Sequence, residues 1–282
     1  MNLQVLNFPQ GGEEWEKFRM GKLTASKFNS VFCGGDVAHV ELTTDVPSED
    51  IKPNALRMIE VLNHLRSGVK LKRDLNASGL NGLKKRGVIR EFNKTTLRLS
   101  SSHDAHINRL ICENMFTSTE LGDSPPSYAM ERGSELEPLA REQFQKIMGI
   151  DVTEVGSVRD LDFSDMVSIS PDGLTDFTRN EAGFIDSIRG GWEVKCPYPQ
   201  THLGYLREGR LPTDYLQQVH GSMAITGADY WWFMSYCPKL QPLILKITRN
   251  EYTDQVRGLI KMFLARYDEV LSEVQRIGEE AA

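Results

Sequence analysis

The chain has 282 residues, of which 40% are hydrophobic, 26% charged and 9% aromatic. This balance excludes collagen-like, coiled-coil and wholly disordered proteins, and a chain of this length can bury a sizeable core without disulfide or metal staples. No apolar stretch approaches the roughly 18 residues of a membrane span, and the first residues lack the basic and apolar regions of a secretion signal. We therefore expect a cytoplasmic protein that makes no membrane contact.

Cysteine spacing and charge limit the kinds of site that the chain can form. The four cysteines lie far apart, without the pairs or clusters of zinc and iron–sulfur sites, so we expect reduced thiols. The formal net charge is −6, but the segment from Lys52 to Arg98 holds twelve lysines and arginines against three acids, a local +9. This basic segment is typical either of a surface that faces an anion or of a solvated, mobile insertion, and both interpretations stay open.

Two short helices are predicted near the amino terminus. Residues 13–19 form the first, and Thr24 or Ser26 then caps a second helix. The second helix is expected to bury the apolar residues Phe28, Val31 and Phe32. A helix amino terminus beside Arg19 is a candidate seat for an anion, because unpaired backbone N–H groups and the guanidinium both attract negative charge.

The rest of the chain predicts a mixed sheet flanked by helices. Apolar residues three and four apart predict an amphipathic helix from Ser134 to Met148, and another helix is predicted from Asp214 to Thr226. A last helix is expected to bury Val256, Ile260, Phe263, Tyr267, Leu271 and Val274. Alternating or β-branched runs predict strands at 152–158, 167–170, 191–196, 230–236 and 243–248. This order of elements is typical of an α/β protein in the broad sense, namely an α+β fold with a mixed sheet flanked by helices.

Two acids and a lysine on neighbouring strands form the candidate active site. The string SPDG, residues 170–173, follows one strand, and EVK, residues 193–195, lies on the next. Because side chains alternate along a strand, Glu193 and Lys195 share one face, and the residues between them can be buried. The Pro-Asp-Gly turn is expected to aim Asp172 toward Glu193, so that both carboxylates share a hard cation such as magnesium. A common turn and a common exposed strand face also explain these residues without a function.

Beyond these three residues, the sequence resembles the PD-(D/E)xK nuclease superfamily and, within it, the lambda-exonuclease or YqaJ-like viral recombinase family. The resemblance covers residues 15–30 and about 130–274. It rests on five strings in family order: Trp15-x-x-x-Arg19-x-Gly21-x-x-Thr24-Ala25-Ser26, Arg132-Gly133-x-x-x-Glu137-x-x-Ala140-Arg141, Ser170-Pro171-Asp172-Gly173-Leu174, Glu193-Val194-Lys195-Cys196-Pro197 and Tyr215-x-x-Gln218-Val219. Any one string is weak evidence, whereas the combination is specific.

The resemblance implies a role for each residue at the centre of the site. Asp172 and Glu193, with the backbone carbonyl of Val194, are expected to hold metal, and Lys195 is expected to position the water nucleophile. Gln218 is expected to be a supporting amide, although its place beside the buried side of a helix is also an ordinary flanking position.

Further residues surround that centre. The resemblance makes Glu137 a supporting acid, although a capping box with Ser134 is a sufficient structural reason for its presence. It also implies that Arg19 and Ser26, together with Thr24 and Arg141, contact a 5′-terminal phosphate and the DNA. The aromatic run 230–233 is interpreted as sheet core, and His220, where relatives often carry another glutamine, is assigned no ligand role.

The function that the resemblance implies is an alkaline-type exonuclease. It would degrade one strand of linear duplex DNA 5′ to 3′ from phosphorylated ends, release 5′-phosphomonoesters and leave 3′ single-stranded tails for recombination. The implied cofactors are two Mg²⁺ ions, for which Mn²⁺ can substitute. The implied partners are two further copies of the chain in a ring-shaped homotrimer and a single-strand annealing protein. The implied location is the cytoplasm, that of a bacterial host if the chain is phage-encoded.

The implied architecture is a single nuclease domain over residues 1–282 with a restriction-endonuclease-like core. A basic insertion at about 34–102 and the stretch 177–190 are longer than compact family members need. Two alternatives stay open, namely an endonuclease of the same superfamily that cuts internally and a catalytically silent scaffold that binds DNA ends.

Overall fold

The computed structural model describes residues 2–34, 37–42, 89–94, 97–116, 120–121 and 127–280. The chain divides into two compact units, one comprising residues 1–32 and 99–282 and the other residues 33–98. Most of the predicted basic segment lies outside the described residues, so its role stays a prediction, as does the interpretation of the chain as one domain with an insertion.

The described residues form both strands and helices. In chain order they are β1 (Leu3–Leu6), α1 (Glu13–Arg19), β2 (Leu23–Thr24), α2 (Phe28–Val31), β3 (Phe32–Gly34), β4 (Val37–Leu42), β5 (Ile89–Lys94), β6 (Leu97–Leu99), α3 (His103–Glu113), α4 (Tyr128–Met148), β7 (Ser157–Asp160), β8 (Val167–Ser168), β9 (Gly173–Arg179), β10 (Ile185–Lys195), α5 (Pro199–Glu208), α6 (Leu216–Thr226), β11 (Tyr230–Ser235), β12 (Leu243–Thr248) and α7 (Glu251–Glu280). Two 3₁₀ turns, Ala25–Lys27 and Thr213–Tyr215, lead into α2 and α6. In the second unit, β4 pairs with β5 in antiparallel orientation.

The central sheet of the first unit has four strands in the order β12-β11-β10-β9. Strand β10 runs parallel to β11, whereas β9 and β12 pair antiparallel with their neighbours, so the sheet is mixed as predicted. The stretch 177–190, which looked long in the sequence, is the hairpin that joins β9 to β10. Short pairs, β1 with β7 and β2 with β8, complete the unit.

Side-chain alternation along β10 and β11 gives the sheet two different faces. One face packs against α4 through a cluster of buried residues, Ala140, Phe144, Trp192, Val194, Trp232, Met234 and Tyr236. The opposite face carries Glu193 and Lys195 of β10 and Phe233 of β11, whose ring stacks on Tyr215 just before α6. Burial of each large apolar side chain stabilises the fold by about 1.5–3 kcal/mol. The aromatic run 230–233 is therefore mainly sheet core, as predicted.

Several predicted boundaries differ from the structure. Helix α4 begins at Tyr128 rather than at Ser134. The predicted strand at 152–158 was wrong over most of its length, since only a single bridge at Thr153 precedes β7, which begins at Ser157. In α7 the predicted core residues are buried as far as Tyr267, but Val274 is 39% exposed because the helix runs on beyond the core.

The predicted cap of the second helix was also wrong. Phe28, Val31 and Phe32 are buried as expected, but the helix is a single turn preceded by a 3₁₀ turn. Neither Thr24 nor Lys27, the residues at the N-cap positions, caps these turns through its side chain. Because one turn of helix has little dipole, α2 does not supply the helix-terminus seat for an anion that the sequence predicted.

None of the helices in the described ranges combines the length and the apolar character that a bilayer crossing needs.

Candidate active site

Asp172 is held at the start of β9, opposite the end of β10. Its Oδ2 accepts a hydrogen bond of 2.7 Å from the backbone N–H of Val194. Gln10 fixes the preceding turn, because its Nε2 donates to the carbonyl of Pro171 at 2.8 Å. Gly173 is required for packing rather than for flexibility, since a Cβ at this position would overlap the side chain of Val152. The predicted approach of Asp172 to the Glu193 strand is therefore observed.

Glu193 is the most buried acid of the site, with 2% of its surface exposed. Its Oε1 accepts one hydrogen bond from the ammonium of Lys195 and another, of 2.6 Å, from Nε2 of Gln218 on α6. Lys195 also lies 5.5 Å above the ring of Tyr215. The structure thus brings four predicted site residues, Asp172, Glu193, Lys195 and Gln218, to one edge of the sheet.

Glu137 lies in the interior of α4, which excludes the capping-box explanation for its presence. Ser134, the expected cap, instead bonds to the carbonyl of Met130 within the same helix. The carboxylate of Glu137 accepts a hydrogen bond of 2.9 Å from Arg141, one turn later. Arg141 also pairs with Glu154, so its described contacts are with acids, and its expected contact with phosphate or DNA stays a prediction.

Burial shifts the pKa values of the three acids upward, and for Glu137 and Glu193 a neighbouring negative charge adds to the shift. Burial, reinforced by the charge of Asp172, raises the pKa of Glu137 to about 7 and that of Glu193 to about 8. Burial also raises the pKa of Asp172, against the opposing charge of Lys195 and the hydrogen bond from Val194. Although burial disfavours its ammonium, the facing acids raise the pKa of Lys195. The site therefore concentrates acidic groups, whose negative charge Lys195 and Arg141 only partly offset.

This donor set fits a divalent cation. Among the described residues, no three His, Cys, Asp or Glu side chains already converge as a metal cage. The acids of the site nevertheless present hard oxygen ligands, and a nearby cation would counter the burial that disfavours their charged forms. Asp172, Glu193 and the carbonyl of Val194 are the groups that suit Mg²⁺ or Mn²⁺.

Arg19 is the centre of a second cluster, made of hydroxyl groups. Its guanidinium donates to Ser170 at 3.0 Å, to Ser26 at 3.3 Å and to Thr24 at 3.5 Å. It also stacks on Trp15, with 4.1 Å between Cζ and the ring centroid. Within the described part of the chain, no carboxylate forms an ion pair with Arg19. A half-buried guanidinium ringed by hydroxyls is suited to a phosphate, which accepts hydrogen bonds from both.

The two clusters adjoin one another. Ser170, which receives hydrogen bonds from both Arg19 and the indole N–H of Trp15, lies two residues before Asp172. Burial lowers the pKa of Arg19 to about 10, and the charge of Glu193 acts in the opposite direction. Ser170 belongs to the cluster although it was expected only as part of a motif.

Two further residues hold the site together and were not predicted to do so. Arg132 of α4 donates to the carbonyls of Cys196 and, at 3.2 Å, of Pro197, directly after Lys195. Tyr215 lies between Phe233 of the sheet and Tyr205 of α5, with ring centroids 5.4 and 6.3 Å away. Both residues stood in the matching strings, but nothing in their spacing indicated these contacts.

The chain is similar in part to a known protein family and in fold to solved structures. The family model described as the YqaJ-like viral recombinase domain matches residues 95–229. The crystal structure of an alkaline exonuclease from Laribacter hongkongensis matches with a TM-score of 0.59 and 24% identity, over 96% of this chain and 100% of that chain. The structure of that enzyme in complex with dAMP matches equally well.

A phage-related exonuclease from Haemophilus somnus matches with a TM-score of 0.45 and 13% identity, over 62% of this chain and 85% of its own. No curated protein matches the chain. The likeness to the Laribacter structure confirms the predicted fold class, a restriction-endonuclease-like core in which helices flank a mixed sheet.

Proposed function

We propose that the protein is a DNA exonuclease that needs a divalent metal, because residues 95–229 match the model of the YqaJ-like viral recombinase domain. In this proposal it degrades one strand of linear duplex DNA 5′ to 3′ from phosphorylated ends and leaves 3′ tails for recombination. The Laribacter relative is an alkaline exonuclease whose complex holds dAMP, a nucleoside monophosphate of the kind such a reaction releases.

The observation that carries the proposal is the junction between the two clusters. The Arg19 cluster suits a terminal phosphate, and Ser170 links it along the chain to Asp172. A strand whose 5′ phosphate sits on Arg19 would present a nearby phosphodiester to Asp172, Glu193 and Lys195. This arrangement favours cleavage close to an end over cleavage at internal positions.

Each residue of the site has a role in hydrolysis. When bound, Mg²⁺ supplies Lewis-acid stabilisation of the phosphate charge. Asp172, Glu193 and the Val194 carbonyl would hold it. We expect two ions to bind and Mn²⁺ to be able to replace Mg²⁺. The Lys195 ammonium orients the attacking water and offsets negative charge that develops on the phosphate. Gln218 keeps Glu193 in place, and Glu137 adds a third carboxylate at the edge of the site.

The proposal is tested with three DNA substrates, namely a covalently closed duplex and linear duplexes with and without a 5′ phosphate. We expect the wild-type protein to release mononucleotides from linear DNA in Mg²⁺, to release none in chelator and to leave closed circles intact. Asp172→Ala, Glu193→Ala and Lys195→Ala are each expected to lower the rate at least a thousandfold while the circular dichroism spectrum is retained.

The outcomes separate the alternatives. Nicking of closed circles would make the protein an endonuclease of the same superfamily. Tight DNA binding without any metal-dependent product would make it an end-binding scaffold. Full activity in the three alanine variants would remove the assigned site.

Arg19 gives a second test. For Arg19→Ala we expect loss of the preference for 5′-phosphorylated over 5′-hydroxyl ends, because the guanidinium is the charged group of its cluster. The initial rate on matched duplexes that differ only in the end group measures this preference. Equal wild-type rates on both duplexes would contradict the pocket.

We extend the proposal to assembly. A ring-shaped homotrimer around the DNA and an annealing protein that receives the 3′ tails follow from the family resemblance. Tyr128 and Leu139 of α4, which are 71% and 50% exposed, are apolar side chains that a subunit contact would cover. Light scattering of the purified protein measures the oligomeric state.

A further inference from the structure

Next to the Arg19 cluster, on another face of α1, lies a basic and aromatic surface that the proposed reaction does not use. We call it the Phe18 patch and define it as Phe8, Phe18, Lys22 and Arg159. It lines an open depression of about 680 Å³, whose other walls come mainly from β1 and α1. Phe18 precedes Arg19 directly in the sequence, so the patch begins one residue away from the proposed pocket for the terminal phosphate.

Both cations of the patch lie against one aromatic ring. Lys22 Nζ is 5.2 Å and Arg159 Cζ is 5.4 Å from the centroid of Phe18, and the ring of Phe8 is 5.5 Å from the same ring. Arg159 is held in place by Gln4, whose Oε1 accepts a hydrogen bond of 2.6 Å. The positions of both charges are therefore set by packing and by β1 rather than left to free side chains.

The two charges repel one another without a direct counter-charge. Burial and the charge of Arg159 lower the pKa of Lys22, and the more distant Asp165 only partly opposes them. Lys17 and the acid Glu14 also line the depression, where Lys17 is paired with Glu13 at 2.7 Å and feels the charge of Glu14. No acid among the described residues forms an ion pair with Lys22 or Arg159, so the patch holds like charges that an anion would stabilise.

We propose that the Phe18 patch binds an internal phosphate of the DNA backbone, beside the pocket for the terminal phosphate. This inference rests on the proposed function, because it takes duplex DNA as the substrate. A guanidinium and an ammonium beside one ring can each donate to the oxygens of a phosphodiester. This contact depends on the charge of the phosphate and not on the base sequence, so it is expected to bind DNA with any end group.

The test combines a double variant with end chemistry. Lys22→Gln with Arg159→Gln removes both charges and keeps polar side chains of similar length. Its matched control, Lys146→Gln with Arg189→Gln, removes the same charges from exposed positions on α4 and β10. Fluorescence anisotropy in chelator gives the affinity for 5′-phosphorylated and 5′-hydroxyl duplexes at several salt concentrations, and gels in Mg²⁺ give the degradation rate.

We expect the Phe18 patch variant to bind both duplexes roughly tenfold more weakly, and its salt dependence to fall by about one to two phosphate contacts. Arg19→Ala should instead weaken binding of the phosphorylated duplex alone. The control variant should keep the wild-type affinity and salt slope. Lys22→Arg combined with Arg159→Lys, which preserves both charges, should restore most of the binding.

The failures of the two proposals are distinguishable. If the wild-type protein degrades DNA but the Phe18 patch variant binds as tightly as the control, with an unchanged salt slope, the patch serves something other than DNA and the inference is overturned. If the wild-type protein releases no nucleotides in Mg²⁺, the exonuclease proposal fails, whatever the binding data show.

Discussion

At the scale of single residues, the candidate site holds acids that cost the fold stability. Glu137 has a folded pKa of about 7, because burial and the charge of Asp172 disfavour its ionised form, whereas the unfolded chain titrates near 4.5. Between these values the folded state binds more protons than the unfolded state. The contribution of Glu137 to stability is therefore complete below pH 4.5 and is lost as the pH rises through 7.

Glu137→Gln removes that loss, because an amide does not ionise. Since the side chain is 30% exposed, solvent screening reduces the effect, and we expect the variant to gain about 1 kcal/mol of unfolding free energy at pH 8 relative to pH 4.5. Urea unfolding in chelator at both pH values measures this gain. Glu142→Gln, at an exposed position of the same helix, is the control. The same gain in both variants, or no gain in Glu137→Gln, would contradict the inference that ionised Glu137 destabilises the folded state.

At the scale of elements, α6 approaches α2 through a glycine. A Cβ on Gly221 would overlap the buried ring of Phe28, whereas a Cβ on Gly204 in α5 would meet no atom within 4 Å. Both glycines lie inside helices, so the same substitution has opposite expected effects. Gly221→Ala should cost about 1–3 kcal/mol through overpacking, and Gly204→Ala should contribute up to about 1 kcal/mol through helix propensity.

Thermal or urea unfolding of the two variants measures the contrast. Because α6 carries Gln218, a shift of this helix in Gly221→Ala is also expected to lower the rate of the proposed exonuclease reaction, while Gly204→Ala keeps it. Equal stability of the two variants would show that α6 adjusts to the added methyl group without strain.

The elements also show what a single sequence can reveal. Helices α1 and α6 and strand β12 have strong periods and clear stops, and their positions were predicted within about two residues. Helix α5 was missed because its buried residue is His202, so it shows no apolar stripe, and Pro199 marks its start. The early turns of α4 were missed because their apolar side chains, such as Tyr128, are exposed.

The same limit applies to the site. Glu193 and Lys195 could be placed on one face because alternation along a strand is a local rule. The hydrogen bonds of Gln10 to Pro171 and of Arg132 to Cys196 join residues 161 and 64 positions apart, and no local pattern encodes such contacts. Local rules thus predicted which candidate side chains share a face, while the residues that hold them in place required the structure.

At the scale of the whole molecule, α6 links the sheet to α7 through a buried histidine. His220 is 3% exposed, its Nδ1 lies 2.8 Å from the hydroxyl of Thr253, and its ring centroid lies 4.9 Å from that of Tyr252. Burial lowers the pKa of His220 to about 4. The neutral ring is therefore part of the packing between the two helices.

This burial makes global stability sensitive to acid. Since the unfolded histidine titrates near pH 6.5 and the folded one near 4, the unfolded state binds the extra proton between these values, and stability falls as the pH falls from 6.5 toward 4. At pH 5 the loss from this one residue is about 2 kcal/mol relative to pH 8. In His220→Gln the loss is absent, so the difference in unfolding free energy between wild type and variant should shrink by about that amount. Urea unfolding at pH 8 and pH 5 measures the difference between wild type and variant, in which effects common to both proteins cancel. If that difference does not change with pH, His220 is protonated as easily in the folded chain as in the unfolded chain.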